Sequence, residues 1–363
     1  MKKLILILIP LMLIVGLSAI SFEISGENRT RAAIYNDYFK HDGGHVDNRL
    51  NLGLDAQLHK NLDVRLAVEI GDTVWGNGGG GISTGESIHV TEAYLDYLID
   101  GFDARIKLGQ MYWMDRMGLV MDDYFSGISL KKTLANDINT EFIWMKVAEN
   151  NRMADDDSDL FVLHAMKDGD MPIGMYLMYG NHRKFDYQNI TFMPYLGMEK
   201  NALSLDAALF VDFQMGKNDD ELGLGGAAKM KLDMDAFELG ADVLVAAENG
   251  LTTISPWYQN GLYIYGIGQH HDGLNLYWGT PYEGNADLFA SLVGNVKVPL
   301  HERLSIFGAA GFLTDLGMEV NAGMEVGLIR DLLNMQVYGA FGVRDDDDST
   351  KNYAIGTSLK LEF

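Results

Sequence analysis

The chain alternates polar and apolar residues with a period of two, and the alternation restarts many times. Arg49, Asn51, Gly53, Asp55, Gln57 and His59 interleave with Leu50, Leu52, Leu54, Ala56 and Leu58. Ser204, Asp206 and Ala208 do the same against Leu203, Leu205, Ala207, Leu209 and Val211. Glu319, Asn321, Gly323 and Glu325 repeat it against Met318, Val320, Ala322, Met324 and Val326. Successive side chains of a strand point to opposite faces, so each segment has one apolar and one polar surface. The segments recur about every 19 residues. That rhythm predicts an all-β fold, a transmembrane antiparallel up-and-down β-barrel with an apolar outside and a polar inside.

The N-terminus reads as a secretory signal, with Lys2 and Lys3, an apolar run from Leu4 to Leu17, then small residues. Ala19 and Ser21 lie three and one residues before the expected cut, so 1–21 is the predicted signal peptide and 22–363 a single barrel domain. A retained N-terminal anchor helix is the alternative, although the run is shorter than the roughly 18 apolar residues a spanning helix needs. There is no cysteine, so rigidity must come from a source other than disulfides, and a closed sheet supplies one. Formal net charge is −23, which argues against nucleic acid as a partner. A soluble β-sandwich would rarely hold one polarity pattern over so many strands in a single domain.

Turn signals divide the chain into about 18 strands, with 16 as the alternative. Tight turns are expected at Lys60-Asn61, Asp100-Gly101, Asn136-Asp137, Asp168-Gly169, Lys200-Asn201, Asp233 to Asp235, Pro299 and Arg330-Asp331. Opposite them lie connections that are longer or richer in Asp, Gly and aromatics, as periplasmic turns and extracellular loops should be. Pro194 inside a strand and the two-sided apolar stretch Ile173 to Tyr179 fit this pattern least well.

Leu50, Leu52 and Leu54 facing lipid would leave Arg49 and Asp55 facing the lumen. The same rule sends Glu27, Arg29, Arg31, Arg65, Glu69, Glu92, Asp96, Arg105 and Lys107 inward on the first five strands. About nine strands on, it sends Asp206, Asp212, Glu238 and Asp242 inward, with Glu319 and Glu325 later. A basic arc facing an acidic arc would set a transverse field across a narrow pore. Equally, neighbouring opposite charges would brace the wall as cross-strand pairs. The segment 249–284 stands apart, with Trp257, Tyr258, Tyr263, Tyr265, His270, His271, Tyr277 and Trp278. So many aromatics need packing partners. Either this loop folds into the pore mouth as a constriction, or it packs on its neighbours or on another subunit. Met111 to Phe125 is a second candidate for the constriction.

Enzyme signatures are weak. Gly81-Ile82-Ser83-Thr84-Gly85 matches G-x-S-x-G but sits in a glycine run between strands, without the strand–elbow–helix that motif requires. No cofactor, catalytic residue or metal site is expected, since neither His270-His271 nor His41 with His45 has convincing ligand spacing. The runs Asp155 to Asp159 and Asp345 to Asp348 read as solvated loop tips, or as sites bridging lipopolysaccharide through divalent ions.

The signal, the alternating strands and the closing segment Ile355 to Phe363 together resemble a Gram-negative outer-membrane porin. The stretch Asn48 to Ala56, with Val68-Glu69 and Gly71 to Gly76, is similar to porins of the alginate-export type. That resemblance implies a barrel of about 18 strands in the outer membrane, small hydrophilic solutes as cargo, and lipid and lipopolysaccharide as surroundings. It implies too that the barrel-assembly machinery recognises Phe363, and leaves a homotrimer open. A passive diffusion channel is thus the leading expectation. A plugged or gated barrel acting as an adhesin or envelope tether is the alternative.

Overall fold

In the computed structural model the described residues are 21–36, 42–75, 88–148, 157–216, 220–266, 282, 288–330, 332–345 and 350–363. Eighteen strands form one sheet. They are β1 (Ser21–Asn36), β2 (Asp42–His59), β3 (Leu62–Val74), β4 (Ile88–Ile99), β5 (Ala104–Met114), β6 (Asp122–Leu134), β7 (Ile138–Ala148), β8 (Ser158–Lys167) and β9 (Ile173–His182). After them come β10 (Tyr187–Lys200), β11 (Leu203–Met215), β12 (Asp220–Met234), β13 (Phe237–Ala246), β14 (Phe289–His301), β15 (Leu304–Leu313), β16 (Gly317–Ile329), β17 (Leu333–Arg344) and β18 (Lys351–Glu362). Each strand pairs antiparallel with its sequence neighbours. β18 pairs with β1 from Glu27 opposite Glu362 to Asn36 opposite Tyr353, which closes the barrel. Phe363 adds two more bonds, because Gly26 and Phe363 each donate an N–H to the other's carbonyl, at 2.8 and 3.0 Å.

The alternation resolves as expected on the outside. Leu52, Leu108, Leu163, Leu209, Val320 and Ile355 are exposed on the outer face. No helix among the described residues is long and apolar enough to cross a membrane, so any crossing is made by strands.

Several turns differ from expectation. β4 and β5 are joined by the four residues Asp100–Asp103, with both Gly101 (φ +84°) and Asp103 (φ +47°) left-handed. Pro299 lies inside β14 beside a register slip, which tolerates its missing N–H, and the turn falls at Glu302-Arg303. β13 stops at Ala246 and β14 starts at Phe289, so the long connection runs over 247–288. The link Thr314 to Leu316 between β15 and β16 is short although it lies on the long-loop side. Pro194 does sit mid-strand. The β10–β11 ladder is paired on either side of it, at Phe192–Val211 and Tyr195–Ala208, with no change of register.

Leu52→Arg, an outward position midway along β2, is expected to lower stability in lipid vesicles by about 2–4 kcal/mol. Asn51→Arg, one residue away but inward, should cost much less. The denaturant midpoint of each refolded variant measures the difference.

Candidate functional site

The interior of the barrel is divided into two unlike halves. From β7 to β11 the inward side chains include a buried apolar set, Ile143, Met145, Val162, Met178, Met193 and Phe210, beside buried polar groups such as Glu141, Thr191 and Asp212. Two connections fold in against them. The first is 115–121, between β5 and β6. Asp115 is fully buried, and its carboxylate accepts N–H bonds from Met117, Leu119, Val120 and Met121 at 2.7–3.1 Å. Burial pushes its pKa upward while those four amides pull it back. Beside it Arg116 bonds Asp206 across the lumen, with Nε 2.8 Å from Oδ1.

The second is the described part of the long connection, 247–266. It is tied to the first by backbone bonds: Ile254 N–H to Val120, Asp122 N–H to Ser255, and Trp257 N–H to Gly118. It is tied to the wall by carboxylates. Asp212 accepts from the Thr252 amide and hydroxyl at 2.8 and 2.6 Å. Asp242 accepts the Tyr258 hydroxyl at 2.8 Å, and burial pushes that phenol's pKa up. Glu319 accepts the amides of Tyr263, Ile264 and Tyr265 at 2.8–2.9 Å. Tyr258, Tyr263 and Tyr265 are thereby buried inside the barrel.

The half bounded by β1–β5 holds open space. One cavity of about 1110 Å³ is lined by Glu27, Arg49, Asn51, Arg65, Glu69, His89, Glu92, Tyr94, Tyr112, Asp122, Asp123, Tyr124 and Trp257. A second, of about 550 Å³, lies toward the tight turns, with Glu23, Asp55, Asp63, Arg65, Tyr94, Asp96 and Arg105 in its wall. Arg65 and Tyr94 belong to both.

The sequence-selected residues separate accordingly. Arg49, Asp55, Arg65, Glu69, Glu92, Asp96 and Arg105 line the cavities. They also form cross-strand pairs. Arg49 meets Glu69 at 3.4 Å, and Arg65 bridges Asp55 and Glu92. Arg105 meets Asp63 and Asp96 at 2.9 and 3.0 Å, and Lys107 is 3.8 Å from Asp96. Arg29 and Arg31 are buried in the wall, the latter on Asp47 at 3.0 Å. Asp212, Asp242 and Glu319 face inward but are covered by the folded-in segment. Glu238 pairs with Lys231 at 2.6 Å, and Glu325 with Lys297. His270, His271, Tyr277 and Trp278 lie outside the described residues, as do the 81–85 motif and most of the signal. Of the acidic loop runs, Asp157 and Asp159 sit beside Lys146.

Tyr94, Tyr112, Asp122 and Asp123 are cavity residues that the alternation rule did not select. Asp122 and Asp123 start β6 at the end of a connection, where no run of alternation precedes them.

Comparison with solved structures finds the same barrel fold in outer-membrane proteins. The chain is similar to OpdK of Pseudomonas aeruginosa, solved with vanillate, at TM-score 0.60 and 9% identity, covering 94% of this chain and 98% of that one. For OccK2 (OpdF) of the same organism the TM-score is 0.62 and the identity 12%, with coverage of 94% and 98%. For Acinetobacter baumannii OccAB4 the values are 0.59 and 11%, again covering 94% and 98%. No family model matches the sequence, and no curated protein matches it. At such identities the likeness is one of fold.

Asp115→Ala should free the 115–121 segment and expose the bond after Arg116 to trypsin. Wild-type barrel is expected to survive the same digestion uncut at that bond, as read by mass spectrometry of the fragments.

Proposed function

We propose that this chain is an outer-membrane channel that passes small hydrophilic solutes by passive diffusion, along an off-centre path beside β1–β5. The observation that carries the reading is the pair of polar cavities meeting at Arg65 and Tyr94, opposite an apolar filled half. Charged side chains are tolerated on that wall because they meet water.

The path prefers cations. Glu23, Glu27, Asp55, Asp63, Glu69, Glu92, Asp96, Asp122 and Asp123 stand in the cavity walls against Arg49, Arg65 and Arg105. The arginines are engaged by neighbouring carboxylates, so bracing and selectivity arise from the same residues. An excess of fixed negative charge along an aqueous passage with low-dielectric walls raises the local concentration of cations. A polyuronate would be repelled, which sets aside the finer likeness to alginate-export porins. Recognition of the Phe363-bearing last strand by the barrel-assembly machinery, contact with lipopolysaccharide and assembly as a homotrimer belong to this reading as further expectations.

Reversal potential in a planar bilayer under a potassium chloride gradient tests the proposal. Discrete current steps with cation preference are expected, and a folded but silent barrel would favour the plugged alternative. Asp122→Asn with Asp123→Asn should lower the cation-to-anion permeability ratio about threefold per charge removed. A unit charge about 6 Å from the path is worth about 0.7 kcal/mol in water, favourable to a cation and unfavourable to an anion, and salt screening about halves it for each. Neutralising Arg49, Arg65 and Arg105 together should move the ratio the other way.

A further inference from the structure

The wall under residues 260–266 is shaped to receive them. Tyr263 stacks on Tyr338 of β17 with ring centroids 4.0 Å apart and planes inclined by 11°. Two residues on, Tyr265 lies over Gly342 so closely that a β-carbon there would sit 2.8 Å from the ring. Ala340 lies between these two contacts on the inward face of β17 and is buried. On β15, a β-carbon at Gly311 would come 3.0 Å from Leu262. The polar ends are met as well. Tyr265 donates to Asn352 of β18 at 2.9 Å, Tyr263 to Gln336 at 3.1 Å, and Asn321 donates to the Gly261 carbonyl at 3.1 Å.

Glu319 stands at the centre of this recess. It is 1% exposed, and its two oxygens take three consecutive backbone amides. A segment without regular structure leaves its amides unpaired, and burying them without partners costs free energy for each. One ionised carboxylate meets three at once, and charge-assisted bonds of this kind are about twice as strong as neutral ones. Inward carboxylates elsewhere on the wall, at Glu92, Asp96 and Glu325, meet arginine or lysine instead.

We infer that Glu319 is a positioning residue for permeation. It holds 260–266 in a fitted recess across β15–β18 and so confines solute flow to the β1–β5 side. The inference rests on the channel reading for its consequence, but the seating itself is measurable without current.

The chain lacks cysteine, so a single introduced thiol reports on its own surroundings. Ala340→Cys in the folded barrel, treated with a small cationic methanethiosulfonate, should react slowly because Tyr263 and Tyr265 cover it. Adding Glu319→Gln should raise that rate at least tenfold. A thiol at Asn51, in the open cavity, should react equally fast on both backgrounds. Heat-modifiable gel mobility identifies the folded barrel in each case. Gly342→Ala, which presses on the Tyr265 ring and keeps the Glu319 carboxyl, should likewise raise labelling of a thiol at Ala340 and serves if Glu319→Gln does not fold. In bilayers, Glu319→Gln should add openings larger than the wild-type step. Unchanged labelling at position 340 in a folded Glu319→Gln barrel overturns the inference, as does fast labelling there with Glu319 intact. Labelling that rises as expected in a barrel that passes no current upholds the seat and overturns the channel reading.

Discussion

Every backbone N–H and C=O that enters hydrocarbon must find its partner inside the protein, because lipid offers none. For a chain of strands the solution is closure, and here it depends on one ladder, β1 against β18, completed by the reciprocal Gly26–Phe363 bonds. The rest follows from it. A closed barrel has an inside, the inside has a circumference set by eighteen strands, and a barrel of that size encloses more space than wall side chains alone fill. Something must occupy that space, and both polypeptide and open cavity do.

The division between filled and open space follows the polarity of the inner wall. Where inward residues are Ile143, Val162, Met178 and Phe210, water would be a poor neighbour, and 115–121 and 247–266 pack there instead. Where they are Arg49, Arg65, Glu69 and Glu92, cavities remain. Carboxylates serve differently on the two sides. In the open half they pair with arginines across strands, through Arg65 with Asp55 and Glu92 for example. In the filled half, Asp212, Asp242, Glu319 and the loop's own Asp115 bind backbone amides and tyrosine hydroxyls, giving irregular segments the partners a strand would have had.

Much of this was legible in the sequence. Strand number follows from the turn signals, and the outer face and the inward direction of the charged residues follow from period-two alternation, because successive side chains of a pleated strand point to opposite faces. Turn details were less legible. Pro299 reads as a turn residue, yet a local register slip accommodates it inside β14. The destination of the inward acids was hidden too. Glu319 and Glu69 look alike in sequence, and only the fold covers one with Tyr263 to Tyr265 and leaves the other beside a cavity. One signal was present but unused. The stretch Ile173 to Tyr179 is apolar on both faces, which fits a barrel strand poorly unless its inner face meets protein. Met175 and Leu177 are exposed outward, while Tyr176 and Met178 are buried against the filled half.

The central claim is that solutes cross a barrel whose interior is half occupied. Single-channel conductance of the refolded protein, measured with polyethylene glycols of increasing size, tests it most directly. The account predicts discrete steps from a narrow path, reduced only by the smallest polymers because larger ones cannot enter. Conductance and polymer exclusion matching an empty 18-stranded barrel would contradict it.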